Sequence, residues 1–149
     1  MSITVEDYLG QHGAGHDDEL TDEMRADAQL LCDRVNAMLD EFGEDRGLRS
    51  GWRPKSINDK IKNAARGSKH ITCQAVDVED NNGELKDWVL QRADDGSYPV
   101  LEKYELWAEY GGATPSWLHC QIIPPGSRKR VFFPNAQWAA RAAAEGDVV

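Results

Sequence analysis

The chain has 149 residues, 29% charged and 40% apolar, with 17 Lys and Arg against 26 Asp and Glu for a net charge of −9. That length suits one domain with a proper core, and the acidity argues against a nucleic-acid partner, whose backbone needs clustered cations. No apolar run approaches the roughly 20 residues that span a bilayer. Three cysteines, Cys32, Cys73 and Cys120, without a C-x-x-C pair argue against a disulfide framework.

The start, Met1-Ser2-Ile3-Thr4-Val5-Glu6-Asp7, has neither a basic nor an apolar region. No signal peptide is therefore expected, and the chain reads as made in the cytoplasm. Residues 1–20 read as an irregular arm punctuated by Gly10, Gly13 and Gly15. His12 and His16 have the i, i+4 spacing of a helical metal pair, but the glycines between them argue against a helix.

Thr21 opens a helix, with Asp22 and Glu23 favoured in its first turn. Met24, Ala28, Leu31, Val35, Leu39 and Phe42 recur at three and four residues and form one core-facing stripe. Gly43 and Gly47 end it. Leu48 to Pro54 reads as a short strand running into a turn, with Pro54 holding Arg53 extended. Lys55 to Ala65 is predicted helical, capped by Ser56.

Ser68-Lys69-His70-Ile71-Thr72-Cys73-Gln74-Ala75-Val76-Asp77 runs from a turn into a β-branched strand. On one continuous strand, the odd separation of His70 and Asp77 would send them to opposite faces. They converge only if His70 is presented from the bend and Asp77 from the strand. Asp80-Asn81-Asn82-Gly83 is a turn, followed by a helical segment from Glu84 to Arg92. Leu101 to Tyr110 holds a helical turn and then a strand from Leu106. Alternation sets Glu105, Trp107 and Glu109 on one face, with Leu106 and Ala108 on the other.

Trp117-Leu118-His119-Cys120-Gln121 alternates cleanly, with Trp117, His119 and Gln121 sharing a face. Lys129 to Phe133 is the last strand, and Asn135 to Glu145 an alanine-rich helical tail. Cys73 and Cys120 are readable as thiolate ligands or as small buried hydrophobes. Arg128-Lys129-Arg130 reads as a solvated turn. Together the elements predict an α+β domain, N-terminal helices packed on a small, mainly antiparallel sheet. The expected divisions are an arm 1–20, a domain 21–134 and a helical tail 135–149. Two imidazoles and one carboxylate, His70, His119 and Asp77, suit a catalytic zinc with one position left open.

Ser50-Gly51-Trp52-Arg53-Pro54, Ser68-x-His70 with Asp77, and Trp117-x-His119, in that order, resemble the zinc D-alanyl-D-alanine carboxypeptidase family. That family includes L-alanyl-D-glutamate endopeptidases and, more distantly, the hedgehog domain. The likeness runs over roughly residues 20–134 and is greatest to small phage-encoded members, which share Arg34-Val35-Asn36 and the stretch from Pro124-Pro125 to Pro134. It implies Zn2+ held by His70, Asp77 and His119, with Arg53 polarising the scissile carbonyl. It also implies Ser68 near the substrate carboxylate. Trp117 and Gln121 are candidate substrate-binding residues from the face they share with His119, where Gln121 could orient a water but not accept its proton.

The implied substrate is a peptidoglycan peptide, reached after lysis or from within a virion that would supply protein partners. Three departures stand out: Gln74 where many members have glycine, Ser116 where a glutamate base commonly stands, and Gln121 where relatives are often acidic. Glu109 is the candidate replacement base, because a hydroxyl such as that of Ser116 is too weak. The alternative is a zinc-stabilised, catalytically weak structural or binding protein of a phage particle. A metal-free domain, in which the histidines only form hydrogen bonds, is the third reading.

Overall fold

The chain turns helical at its start. In the computed structural model, which describes residues 2–62, 64–65, 67–147 and 149, helix α1 spans Val5–Leu9 and one turn, α2, spans His12–Gly15. The expectation of an irregular arm over residues 1–20 is corrected here. Thr4 accepts from Asp7 N at 3.0 Å, and the Asp7 carboxylate accepts from Thr4 N at 3.1 Å. This reciprocal cap satisfies two orphan amides. Gly10, with φ +58, ends α1 in a conformation open to glycine.

Helix α3, Asp22–Phe42, follows the apolar stripe. Thr21 Oγ1 accepts from Met24 N at 3.1 Å, and Gly43 closes the other end at φ +88. Then come β1 Leu48–Ser50, α4 Lys55–Asn58, β2 Ala75–Glu79, α5 Glu84–Val89, α6 Pro99–Lys103, β3 Trp107–Glu109, β4 Trp117–Gln121, β5 Val131–Phe132 and α7 Ala136–Ala144. The predicted helix Lys55 to Ala65 shortens to α4, and Asn63 within it lies outside the described residues. Ser56 does not cap it from the N-cap position, which is Pro54. The Ser56 amide and hydroxyl instead donate to Glu19, at 3.1 and 2.6 Å. These bonds hold the Glu19 carboxyl down to about 2.

The strands form one sheet in the order β1-β2-β4-β3-β5, antiparallel except for the parallel pair β3 and β5. Its back face carries Val76, Val78, Ala108, Leu118, Cys120 and Val131, all buried. Val76 sits among Ile3, Tyr8, Leu31, Cys32 and Val35, so α1 and α3 cover this face. The arm therefore shares the core with the sheet. Tyr8 ties the layers together: its hydroxyl donates to Ala75 O at 2.7 Å, and its carbonyl accepts from Trp52 N at 2.9 Å. The second contact brings backbone against Gly51, where a Cβ would stand 2.1 Å from Tyr8 O, so only glycine fits.

Candidate metal centre and active site

The front face of the sheet is built in rows. Antiparallel pairing sets Ser50 beside Asp77 and Asp77 beside His119. Trp107 pairs with Gln121 and Ala108 with Cys120, so one further step of the same register sets Glu109 opposite His119. Glu109 in turn pairs with Phe132. Residues directly opposite share a face, so one row crosses all five strands: Ser50, Asp77, His119, Glu109, Phe132. The Phe132 ring stands edge-on to the His119 ring, 6.0 Å between centroids.

His70 reaches this row from outside the sheet. Lys69 to Cys73 form a turn, closed by Gln74 N donating to Lys69 O at 2.9 Å, and β2 begins only at Ala75. Cys73 makes the change of direction at φ +62, unusual for a residue with a side chain. The bend brings the two imidazoles to 5.3 Å between centroids. His70 Nε2 lies 3.4 Å and His119 Nδ1 2.9 Å from Asp77 Oδ1. Ligand atoms of all three residues fall within 4.8 Å of one another.

The neighbours decide which nitrogens are free. His70 Nδ1 lies 2.8 Å from Gly51 O, and a carbonyl only accepts, so Nδ1 carries the proton and Nε2 the lone pair. Gln121 donates its amide nitrogen to Ile123 O at 3.0 Å, which turns its oxygen to His119 Nε2, also at 3.0 Å. Nε2 of His119 therefore carries the proton, and Nδ1 offers its lone pair toward Asp77. Two imidazole lone pairs and a carboxylate oxygen then converge, an arrangement that needs a cation between them. The two separations from Asp77 lie near the edge of a zinc tetrahedron, about 3.3 Å for bonds of about 2 Å. The donor set fits zinc, with each imidazole oriented through its other nitrogen.

Burial opposes a charge on His119, yet the hydrogen bond and charge of Asp77 win and raise its pKa above the ordinary value. Burial likewise opposes a charge on Asp77, and its interactions with the neighbouring imidazoles, His119 first, hold it well below the usual carboxylate range. Burial raises Glu109, the nearby His119 pulling the other way. Cys73 and Cys120 stay out of the site. Both are fully buried, and burial pushes Cys73 to about 12 and Cys120 higher still, so the thiolate-ligand reading is corrected to small core hydrophobes.

The remaining expected site residues fall around the row. Arg53 N donates to His70 O at 3.1 Å, and its guanidinium donates to Asn58 Oδ1 at 2.9 Å. Asn58, anchored through its own amide to Ala65 O at 3.0 Å, fixes that arm in place. Ser68 Oγ accepts from His70 N at 3.3 Å and shapes the bend. Trp117 shares the front face, with the Arg49 guanidinium 4.4 Å above its ring. Gln121 is 3% exposed and has both ends of its amide engaged, one of them on His119. Ser116 lies off the row and accepts from Arg49 at 3.3 Å.

The Gly51 carbonyl beside His70 and the Asn58 side chain that holds Arg53 are contacts that sequence reasoning did not single out, Gly51 having been quoted only within its motif. The close approach of Tyr8 to Gly51 explains why glycine is required there, but that contact spans the fold and leaves no local signal. A model of the peptidase M15 family matches residues 3–97, well over half of the chain and including Arg53, Ser68, His70 and Asp77. No curated protein and no solved structure matches. With more than half of its length matched, the chain belongs to the peptidase M15 family.

Proposed function

We propose that the protein is a zinc-dependent peptidase that hydrolyses peptide stems of bacterial peptidoglycan, encoded by a phage and acting on the wall after lysis or from a virion. The observation that carries the reading is the row Asp77, His119, Glu109 completed by His70. Three side chains that could hold a metal stand there beside a carboxylate outside their group, and this supports the reading. Zinc held by His70, Asp77 and His119 would supply Lewis acidity, which lowers the pKa of water to near 7 and polarises a carbonyl.

The chain's own residues supply the rest. Glu109 takes a proton from the attacking water and delivers it to the departing amine. The water oxygen joins the carbonyl carbon as the C–N bond breaks. A carboxylate raised by burial is better matched to this task near neutral pH than an exposed one. Arg53, held by Asn58, stabilises the charge developing on the carbonyl oxygen.

Elemental analysis of metal-replete protein should give one zinc per chain. The same preparation should release peptide fragments from purified peptidoglycan, detected by mass spectrometry. Zinc without hydrolysis would favour the alternative of a metal-stabilised structural protein. Neither zinc nor hydrolysis would remove both.

A further inference from the structure

Two tryptophans flank the metal row on the front face, each beneath an arginine. The Arg49 guanidinium stands 4.4 Å from the Trp117 ring, and that of Arg130 stands 4.2 Å from the Trp107 ring. Trp107 pairs with Gln121, so the two indoles are four residue steps apart along β4, with His119 midway. At about 3.4 Å per step the span is roughly 14 Å, about 7 Å to either side of the metal ligands. An extended peptide covers that distance in about four residues.

With 26 Asp and Glu against 17 Lys and Arg, carboxylates are in excess. Arg25, Arg34, Arg46 and Arg141 pair with them. Arg49 and Arg130 form no ion pair among the described residues. One arm of each is anchored, Arg49 on Ser116 Oγ at 3.3 Å and Arg130 on Leu106 O at 3.1 Å. Stacking on indole and a single anchor fix the plane of a guanidinium while leaving donor edges for a carboxylate. Arg53, also without an ion pair among the described residues, stands beside His70 near the middle.

We propose that the substrate is an extended acidic peptide laid along β4, its carboxylates taken by the Arg49–Trp117 and Arg130–Trp107 pairs about two residues to either side of the cleaved bond. The protein then cuts within a peptide and does not trim a terminal residue. This rests on the peptidase reading above. The two ends are asymmetric: Arg49 is exposed, whereas Arg130 and Trp107 are half-buried beside Gln121, so the Arg130 end is the more enclosed.

The test uses zinc-loaded full-length protein and stem peptides released from purified peptidoglycan, with their carboxylates either free or amidated. Cleavage position is read by mass spectrometry, KM from initial rates, and binding to the parent protein by calorimetry. Arg49→Gln and Arg130→Gln should each raise KM for the free-carboxylate peptide about 10-fold more than for its amidated form. The cut should fall between the carboxylates. Equal changes on both peptides, or release of a single terminal residue, would overturn the proposal. If the parent cleaves nothing, the peptidase reading falls by itself. Calorimetry then decides the subsites: carboxylate-dependent binding lost in either variant supports them, and its absence rejects them.

Discussion

His119 is held between an acceptor that fixes its proton and an acceptor that needs one, and this makes its response to pH depend on metal. In metal-free protein its pKa is raised by Asp77. The pair's contribution is therefore fully present below the ordinary histidine value of 6.5 and is lost as pH rises through the raised one. The depressed Asp77 sets the lower edge, its share being lost as pH falls below the ordinary 3.8 toward its folded value. Zinc reverses the upper edge, because it displaces the proton from Nδ1 and binds more tightly as pH rises. Thermal unfolding between pH 5 and 9 should show the metal-free midpoint falling, while zinc affinity measured by chelator competition climbs. A metal-free midpoint that rises instead would contradict the assigned pairing. Glu109→Gln should keep the zinc and the fold and slow peptide hydrolysis by at least about 100-fold. Near-normal turnover in that variant would take the base role away from Glu109.

At the scale of elements, the arm makes the site possible. Tyr8 touches β2 through its hydroxyl and the Gly51–Trp52 turn through its carbonyl, and Gly51 O is the group that orients His70. Tyr8→Phe deletes the bond to Ala75 O in a buried setting and should cost about 1–3 kcal/mol, read from denaturant unfolding. A change below about 0.5 kcal/mol would mean that the arm packs without fastening. Local patterns were readable: the stripe of α3, the alternation of β4 and the need for His70 to come from a bend. The arm was misread because Gly10, Gly13 and Gly15 weighed more than the Thr4–Asp7 capping box beside them. Gln121 was read from its face alone, and a face does not say whether the side chain reaches solvent or a neighbour's ring. Asn36 clamps Ile3. It accepts from Ile3 N at 2.8 Å and donates to Ile3 O at 3.0 Å, so its role is to seat the arm.

Across the whole molecule, the charge is unevenly used. The surface is acidic, yet three arginines without ion pairs among the described residues stand on or beside the face that carries the metal row. The family match covers residues 3–97 and so ends before Glu109 and His119, which the sheet brings to Asp77. Half of the candidate site is thus brought together by strand pairing, which the order of residues does not spell out. The same pairing explains why Glu109 and His119, ten positions apart in the chain, meet across adjacent strands.

The strand order has a further consequence during synthesis. β4 lies in the middle of the sheet but is next to last in the chain, so β2 and β3 have no shared partner until residues 117–121 leave the ribosome. Until then the nascent chain holds α3, the His70 bend and a β2 whose Asp77 lacks its histidine neighbour. The three side chains that could hold a metal are therefore together only once residues 117–121 have emerged and paired with β2. A chain that stops short of β4 has no finished group of this kind, so any cation it takes up enters after the middle strand has formed.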